Sequence, residues 1–313
     1  MVARNNNIMI FVTVILFSLS ITESFSSDFD RSQVVKNKEY IVSVIGKSEI
    51  GVGGGNVKFR FKVSNLINKK ESLVEMSNLT TQIKYMEIAN ELLIVFGAIE
   101  NTADVVTIFG LNNLKEKDSI LCYGPLLSRT RRYIVYKKFY PRFADPPATS
   151  NVLLIYDLSK APTENRLDQK ERNRGPDFVG IPIYPEDNVR KKSYSAWVEN
   201  PIERHTFYPP DGKYLWANND KKLIIVDKYD GDNWLVTIDL SKGLDRIEIN
   251  KLVIDISKIM DVNKKDQDYI NKVRKIKEGI IVTDIEGANN NKIKLKLSSS
   301  YSLKANEIEM ELP

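Results

Sequence analysis

Two residue types are nearly missing from this 313-residue chain: it has one cysteine, Cys122, and one histidine, His205. A lone cysteine excludes any intramolecular disulfide, so the fold must hold through its core. A chain near 300 residues buries about 75% of its unfolded surface, which suffices. A structural zinc site draws on several Cys and His ligands, and one of each excludes it, so no metal site is expected. A Ser-His-Asp triad would have to pass through His205, and no Gly-x-Ser-x-Gly elbow supplies the serine. His205 precedes Thr206 and Phe207 at a strand start, where a hydrogen-bonded structural histidine is ordinary. Cys122 lies in the apolar run Ser119 to Tyr123 and reads as a small buried hydrophobe.

An excess of one charge is also lacking. Lys and Arg total 46 against 41 Asp and Glu, a net charge of +5. Nucleic-acid binders carry a clustered basic excess. The clusters here are small (Arg129 to Arg132, Arg190 to Lys192, Lys272 to Lys277) and read as solvated faces. No nucleic-acid partner is expected. The glycines of 51–55 are no dinucleotide fingerprint, because the third required glycine falls at Asn56. Gly46-Lys47-Ser48 is no phosphate loop, since Ile41 stands where the upstream glycine belongs. No cofactor is expected, and no residue is assigned a catalytic role.

Long apolar runs are absent but for one. Ile8 to Ile21 follows Arg4 and precedes the small and polar residues Thr22 to Ser27. A charged start, a short apolar middle and small residues at the cut define a secretory signal peptide. A membrane span needs about 20 apolar residues, and this run is shorter. Cleavage is expected after Ser26, with residues 27–313 forming one secreted, extracellular domain and no stable membrane insertion. The alternative is an uncleaved anchor. Asn78-Leu79-Thr80 is an N-glycosylation sequon, so Asn78 is the expected glycosylation site if the source is eukaryotic.

What the chain does contain is short strands. Runs of Val, Ile, Leu, Tyr and Phe alternate with turn clusters, the pattern of an all-β protein. Five hairpin-like units recur. They are Glu39–Val44 with Val57–Val63, Glu91–Phe96 with Val105–Phe109, Arg132–Tyr136 with Val152–Lys160, Lys222–Asp227 with Trp234–Lys242, and Gly279–Thr283 with Lys292–Leu297. The third and fourth both end in Asp-Leu-Ser-Lys. They come roughly 40–55 residues apart, the spacing of propeller blades, with one larger gap, Ala161 to Glu203, read as a long loop plus one degenerate blade. One helix is expected over Lys264 to Ile276, with Ile270, Val273 and Ile276 on one face. Six or seven four-stranded blades fit the length; the alternative is two β-sandwich domains.

The fourth unit carries a family signal. Phe207-Tyr208-Pro209-Pro210-Asp211-Gly212-Lys213-Tyr214-Leu215-Trp216-Ala217 resembles the turn-and-strand motif of WD40-like and TolB-like β-propellers, with Pro209 in place of the usual serine. The match is clear over Pro209–Ala217 only. The Trp-Asp dipeptide of WD40 repeats is missing, and Tyr156-Asp157 and Ile238-Asp239 stand in its place. The resemblance implies a propeller fold over residues 27–313 and implies no reaction.

The function expected is therefore a secreted binding or interaction module with a protein or carbohydrate ligand, rather than an enzyme. The polar loops Ala144–Ser150 and Asn165–Glu186 are the expected recognition face. The alternative is a glycosidase-like hydrolase working through two carboxylates. Against it, Asp157, Asp239 and Asp230-Gly231 sit where turns need them.

Overall fold

A computed structural model describes residues 34–50, 56–77, 80–99, 103–138, 152–166, 179–184, 205–208, 214–229, 232–257, 259–260, 268–288, 292–299, 301 and 303–312. The leader 1–26, Asn78, the loop 144–150 and Pro209–Lys213 lie outside them. No helix among the described residues is long and apolar enough to cross a membrane.

The chain is all-β, as its runs of β-branched residues require. Its strands are β1 (Val34–Lys36), β2 (Tyr40–Ile50), β3 (Asn56–Asn65), β4 (Lys70–Met76), β5 (Gln82–Ala89), β6 (Leu92–Ile99), β7 (Ala103–Gly110), β8 (Lys115–Leu127), β9 (Tyr133–Lys138) and β10 (Leu153–Asp157). There follow β11 (Ile181–Tyr184), β12 (His205–Tyr208), β13 (Leu215–Ala217), β14 (Lys222–Tyr229), β15 (Asp232–Asp239), β16 (Glu248–Val253), helix α1 (Tyr269–Gly279), β17 (Ile280–Ala288), β18 (Lys292–Ser299) and β19 (Glu307–Glu311). They form antiparallel sheets of four strands (β1-β2-β3-β4), seven (β11 through β5), five (β12-β14-β15-β16, with β13 also on β14) and three (β17-β18-β19). All five expected hairpins are neighbouring strand pairs: β2–β3, β6–β7, β9–β10, β14–β15 and β17–β18.

The chain divides into two compact units, one of residues 1–100 with 107–116, the other of 101–106 with 117–313. In the first, β3 shows how the sequence builds a sheet. Val57, Phe59, Phe61 and Val63 point inward and are buried. Lys58, Arg60 and Lys62 point outward and pair with Glu75 and Glu71 of β4. The inward row packs on Met86, Leu93 and Phe109, with the rings of Phe61 and Phe109 6.3 Å apart. Each such buried side chain contributes roughly 1.5–3 kcal/mol.

In the second unit β14 and β15 are apolar on both faces. Leu223, Ile225, Val236 and Ile238 join a core with Tyr133, Leu153 and Trp216. Ile224, Val226 and Leu235 join a separate core with Ile276, Ile280, Val282, Ile293 and Leu295. The expected helix is present, but its register differs. Ile276 is buried and Val273 packs on the second core, while Ile270 is 79% exposed in the first turn. An apolar residue at a helix end need not meet the core, because the stripe is set by packing over whole turns.

Candidate functional site

The second unit gathers an unusual number of titratable groups on one face of β8–β10. Strand alternation puts Asp118, Ile120 and Cys122 of β8 on one side, together with Tyr136 and Lys138 of β9 and Tyr156 of β10. All are buried. The Arg166 guanidinium meets the Asp118 carboxylate at 2.6 Å, and the Tyr156 hydroxyl donates to the same carboxylate at 3.2 Å. Burial raises the pKa of Asp118, and the Arg166 charge opposes that rise. Burial alone pushes the Lys138 ammonium down to about 7. Burial likewise raises the hydroxyls of Tyr136 and Tyr156.

This arrangement is held by backbone-directed side chains. Asn165 is fully buried at the end of a short 3₁₀ turn, Pro162–Asn165. Its amide donates to Asp157 O at 2.9 Å and its oxygen accepts from Asp157 N at 2.8 Å. Its carbonyl accepts from Gly180 N at 2.5 Å. The Tyr136 hydroxyl donates to Val179 O. Gly180 has φ +103°, and a Cβ there would lie 2.2 Å from the Tyr136 hydroxyl oxygen. Only glycine satisfies both demands.

These contacts correct one expectation. Asn165–Glu186 is not one free recognition loop, although 167–178 and 185–186 lie outside the described residues. Asn165 is a buried tie, and Ile181–Tyr184 is strand β11, with Ile183 and Tyr184 buried. The run Ile181-Pro182-Ile183-Tyr184 is apolar enough to seek a sheet edge, and Pro182 hid that in the sequence.

A second group of carboxylates fastens turns. Asp157 Oδ1 accepts from Ser159 N at 2.9 Å and from the Ser159 hydroxyl, while Oδ2 meets Arg132 at 3.1 Å. Burial raises the Asp157 pKa, but Arg132 and Ser159 outweigh it, and the net value is lowered. Asp239 accepts from Ser241 N at 2.8 Å, which lowers its pKa. The shared Asp-Leu-Ser-Lys is thus one turn used twice. Asp255 repeats it with Ser257 at 2.9 Å. The sequence reading missed this third copy, Ile254-Asp255-Ile256-Ser257, because isoleucine replaces leucine. Asp220 makes the longest reach. Its carboxylate accepts from Arg129 N at 3.0 Å and from Thr130 N. Asp220 stands in a turn whose central residues, Asn219 and Asp220, have φ of 51° and 65°, closed by Lys221 N to Asn218 O at 3.1 Å. That is the type I′ geometry favoured by Asn and Asp.

No family model matches the chain, and no curated protein matches it. Solved β-propellers are similar to it. The Dos1 propeller is 8% identical, over 86% of this chain and 55% of that one, with a TM-score of 0.31. TolB from Acinetobacter baumannii is 10% identical over 85% and 53%, at 0.27. The β-propeller domain of the Trilobed protease from Pyrococcus furiosus is 8% identical over 88% and 96%, at 0.26. The chain spans about half the length of the first solved structures it matches.

The remaining sequence candidates take ordinary places. Cys122 is fully buried. His205 opens β12 opposite Tyr229. Trp216 is buried, its ring stacked on Tyr133 at 6.0 Å. Arg132 of the basic cluster is tied to Asp157. Among the described residues, no group of three His, Cys, Asp or Glu is placed to hold a metal. A recess of about 180 Å³ in the first unit is lined by Tyr40, Asn65, Asn68, Lys70 and Asn112 among others, and by no carboxylate. Ligand pockets usually run to about 300–1,000 Å³.

Proposed function

We propose that this chain is a secreted, β-propeller-like binding module whose partner is a protein or a carbohydrate. One observation carries the reading. Asp118, Asp157, Asp220 and Asp239 each already serve a backbone amide or an arginine. A carboxylate fixed in that way shapes a turn or a sheet and is not free to move protons. Turns fastened in this way hold the loops on a rigid sheet scaffold, and loops so positioned suit recognition. The signal-like leader supports secretion, and the sequon makes Asn78 a glycosylation site in a eukaryotic host.

Two measurements test this. The chain is expressed with its own leader in a secreting host and weighed intact. A mass beginning at residue 27 is expected, and retention of residues 1–26 rejects cleavage. The mature chain is then screened on arrays of extracellular proteins and glycans, with product analysis on the same glycans. Saturable binding without turnover is expected. Product release that disappears when a carboxylate pair is substituted would replace the module with a hydrolase.

A further inference from the structure

The three-stranded sheet ends at β19 in an edge that no described strand covers. Leu297 N–H donates to Asn306 O at 2.8 Å, and Lys296 stands opposite Glu307. In an antiparallel ladder, residues alternate between bonding their neighbour and facing away. The backbone groups of Ile308 and Met310 therefore bond β18. Those of Glu307, Glu309 and Glu311 face the open side. No strand among the described residues pairs with that side. The edge carries no proline or lysine, and its pairing with β18 has no bulge. Those are some of the devices that blunt an edge; here the shortness of the strand and its three glutamates serve instead, and they repel acidic strands but not basic ones.

The side chains say what the edge would accept. On the solvent face, an acidic column on β17 (Asp284, Glu286) is followed by a basic one on β18 (Lys292, Lys294, Lys296) and an acidic one on β19. Lys296 pairs with Asp284 and Glu286, and Lys294 pairs with Glu307. Glu309 and Glu311 are exposed and have no ion-pair partner among the described residues. The next column in this alternation is basic. On the other face Ile308, Met310 and Leu312 are only half-buried against the core, so the next column there is apolar. A second copy of β19 is disfavoured, because its glutamates would oppose these.

We infer that the open edge of β19 is a docking strand for an extended peptide in which Lys or Arg alternates with apolar residues. The partner adds a fourth strand, with main-chain bonds to Glu307, Glu309 and Glu311 and its basic side chains against their carboxylates. This deepens the binding-module reading and rests on it.

The test uses the full mature chain and a capped peptide of alternating Lys and Val, with a Glu-Val counterpart. Amide hydrogen exchange is read residue by residue. In the free protein the Glu307, Glu309 and Glu311 amides exchange fast, while Ile308 and Met310 are protected. The Lys-Val peptide slows the three edge amides by about tenfold or more, and the Glu-Val peptide leaves them unchanged. The double variant Glu309→Gln, Glu311→Gln removes the two exposed carboxylates without setting a lysine against Lys294 or Lys292, and weakens peptide binding about tenfold. Edge amides already slow in the free monomer, a dimer that buries them, or equal protection by both peptides would each overturn the inference. An array partner whose binding survives the double variant defeats the docking strand alone. Absence of any partner defeats the binding-module reading instead.

Discussion

Arg166 and Asp118, 48 residues apart in sequence, form an ion pair at 2.6 Å in which the carboxylate is 2% exposed and the guanidinium 18%. A pair this sheltered behaves unlike the surface pairs of β3 and β4. Breaking it from one side leaves a buried charge with no counter-ion, at a cost of about 3–5 kcal/mol. Arg166→Met is therefore expected to lower unfolding free energy by about 3 kcal/mol. Adding Asp118→Asn should recover a large part of that loss. Urea denaturation of both singles and the double measures it. A double mutant as unstable as the sum of the singles would show that the two groups are not coupled.

Asp220 ties two turns that are 90 residues apart. Asp220→Ala removes both acceptor bonds from the 128–130 turn and places alanine at φ 65°. Bonds to a charged group contribute about 1.5–3 kcal/mol. A loss of about 3 kcal/mol is expected, and Asp220→Asn, which tolerates the conformation, should lose less. Equal losses would mean that the carboxylate charge, not the backbone conformation, dominates.

Gly180→Ala and Gly243→Ala separate two effects. Both glycines have positive φ, +103° and +89°. A Cβ at Gly180 would overlap the Tyr136 hydroxyl, while one at Gly243 meets nothing within 4 Å. Gly243→Ala should cost only the backbone term, about 1–2 kcal/mol. Gly180→Ala should cost clearly more, measured by thermal unfolding. If Gly180→Ala with Tyr136→Phe restores stability to the Gly243→Ala level, the clash is with the hydroxyl.

Lys138 makes stability depend on alkaline pH. Its folded pKa lies near 7, well below the ordinary lysine value, because burial disfavours the ammonium. Between pH 7 and about 10 the unfolded chain holds a proton that the native state has released, so stability climbs with pH. The slope is at most about 1.4 kcal/mol per pH unit. Lys138→Met should flatten it. Asp157 acts at the other end. Its lowered folded pKa gives stability that is full above the unfolded value of about 3.9 and lost as pH falls through the folded value. Asp157→Asn should weaken that acid limb, and an unchanged limb would assign it to other carboxylates.

Much of the local architecture was legible. The strand Val57–Val63 could be read because inward Phe59 and Phe61 alternate with Arg60 and Lys62, and that alternation is all a half-buried strand needs. Asp157 and Asp239 were legible as turn residues because the bond to the serine two positions on is local. Ile270 was misplaced because helical spacing names a stripe, not where it begins. Asn165 looked like a loop residue, since nothing nearby in sequence reveals that its amide serves Asp157 and its carbonyl serves Gly180.

The amino-acid order alone settled that this is a strand-built chain with five hairpins, no intramolecular disulfide and aspartates at its turns. Each of those follows from neighbours within a few residues, where side-chain period and backbone preference act directly. Which strands share a sheet, that Asp118 finds Arg166, that Asp220 holds the 128–130 turn, and that Glu307, Glu309 and Glu311 face an open edge were decided by the tertiary structure. Those relationships join residues with no local coupling, and they exist only once burial has brought distant segments within hydrogen-bonding distance.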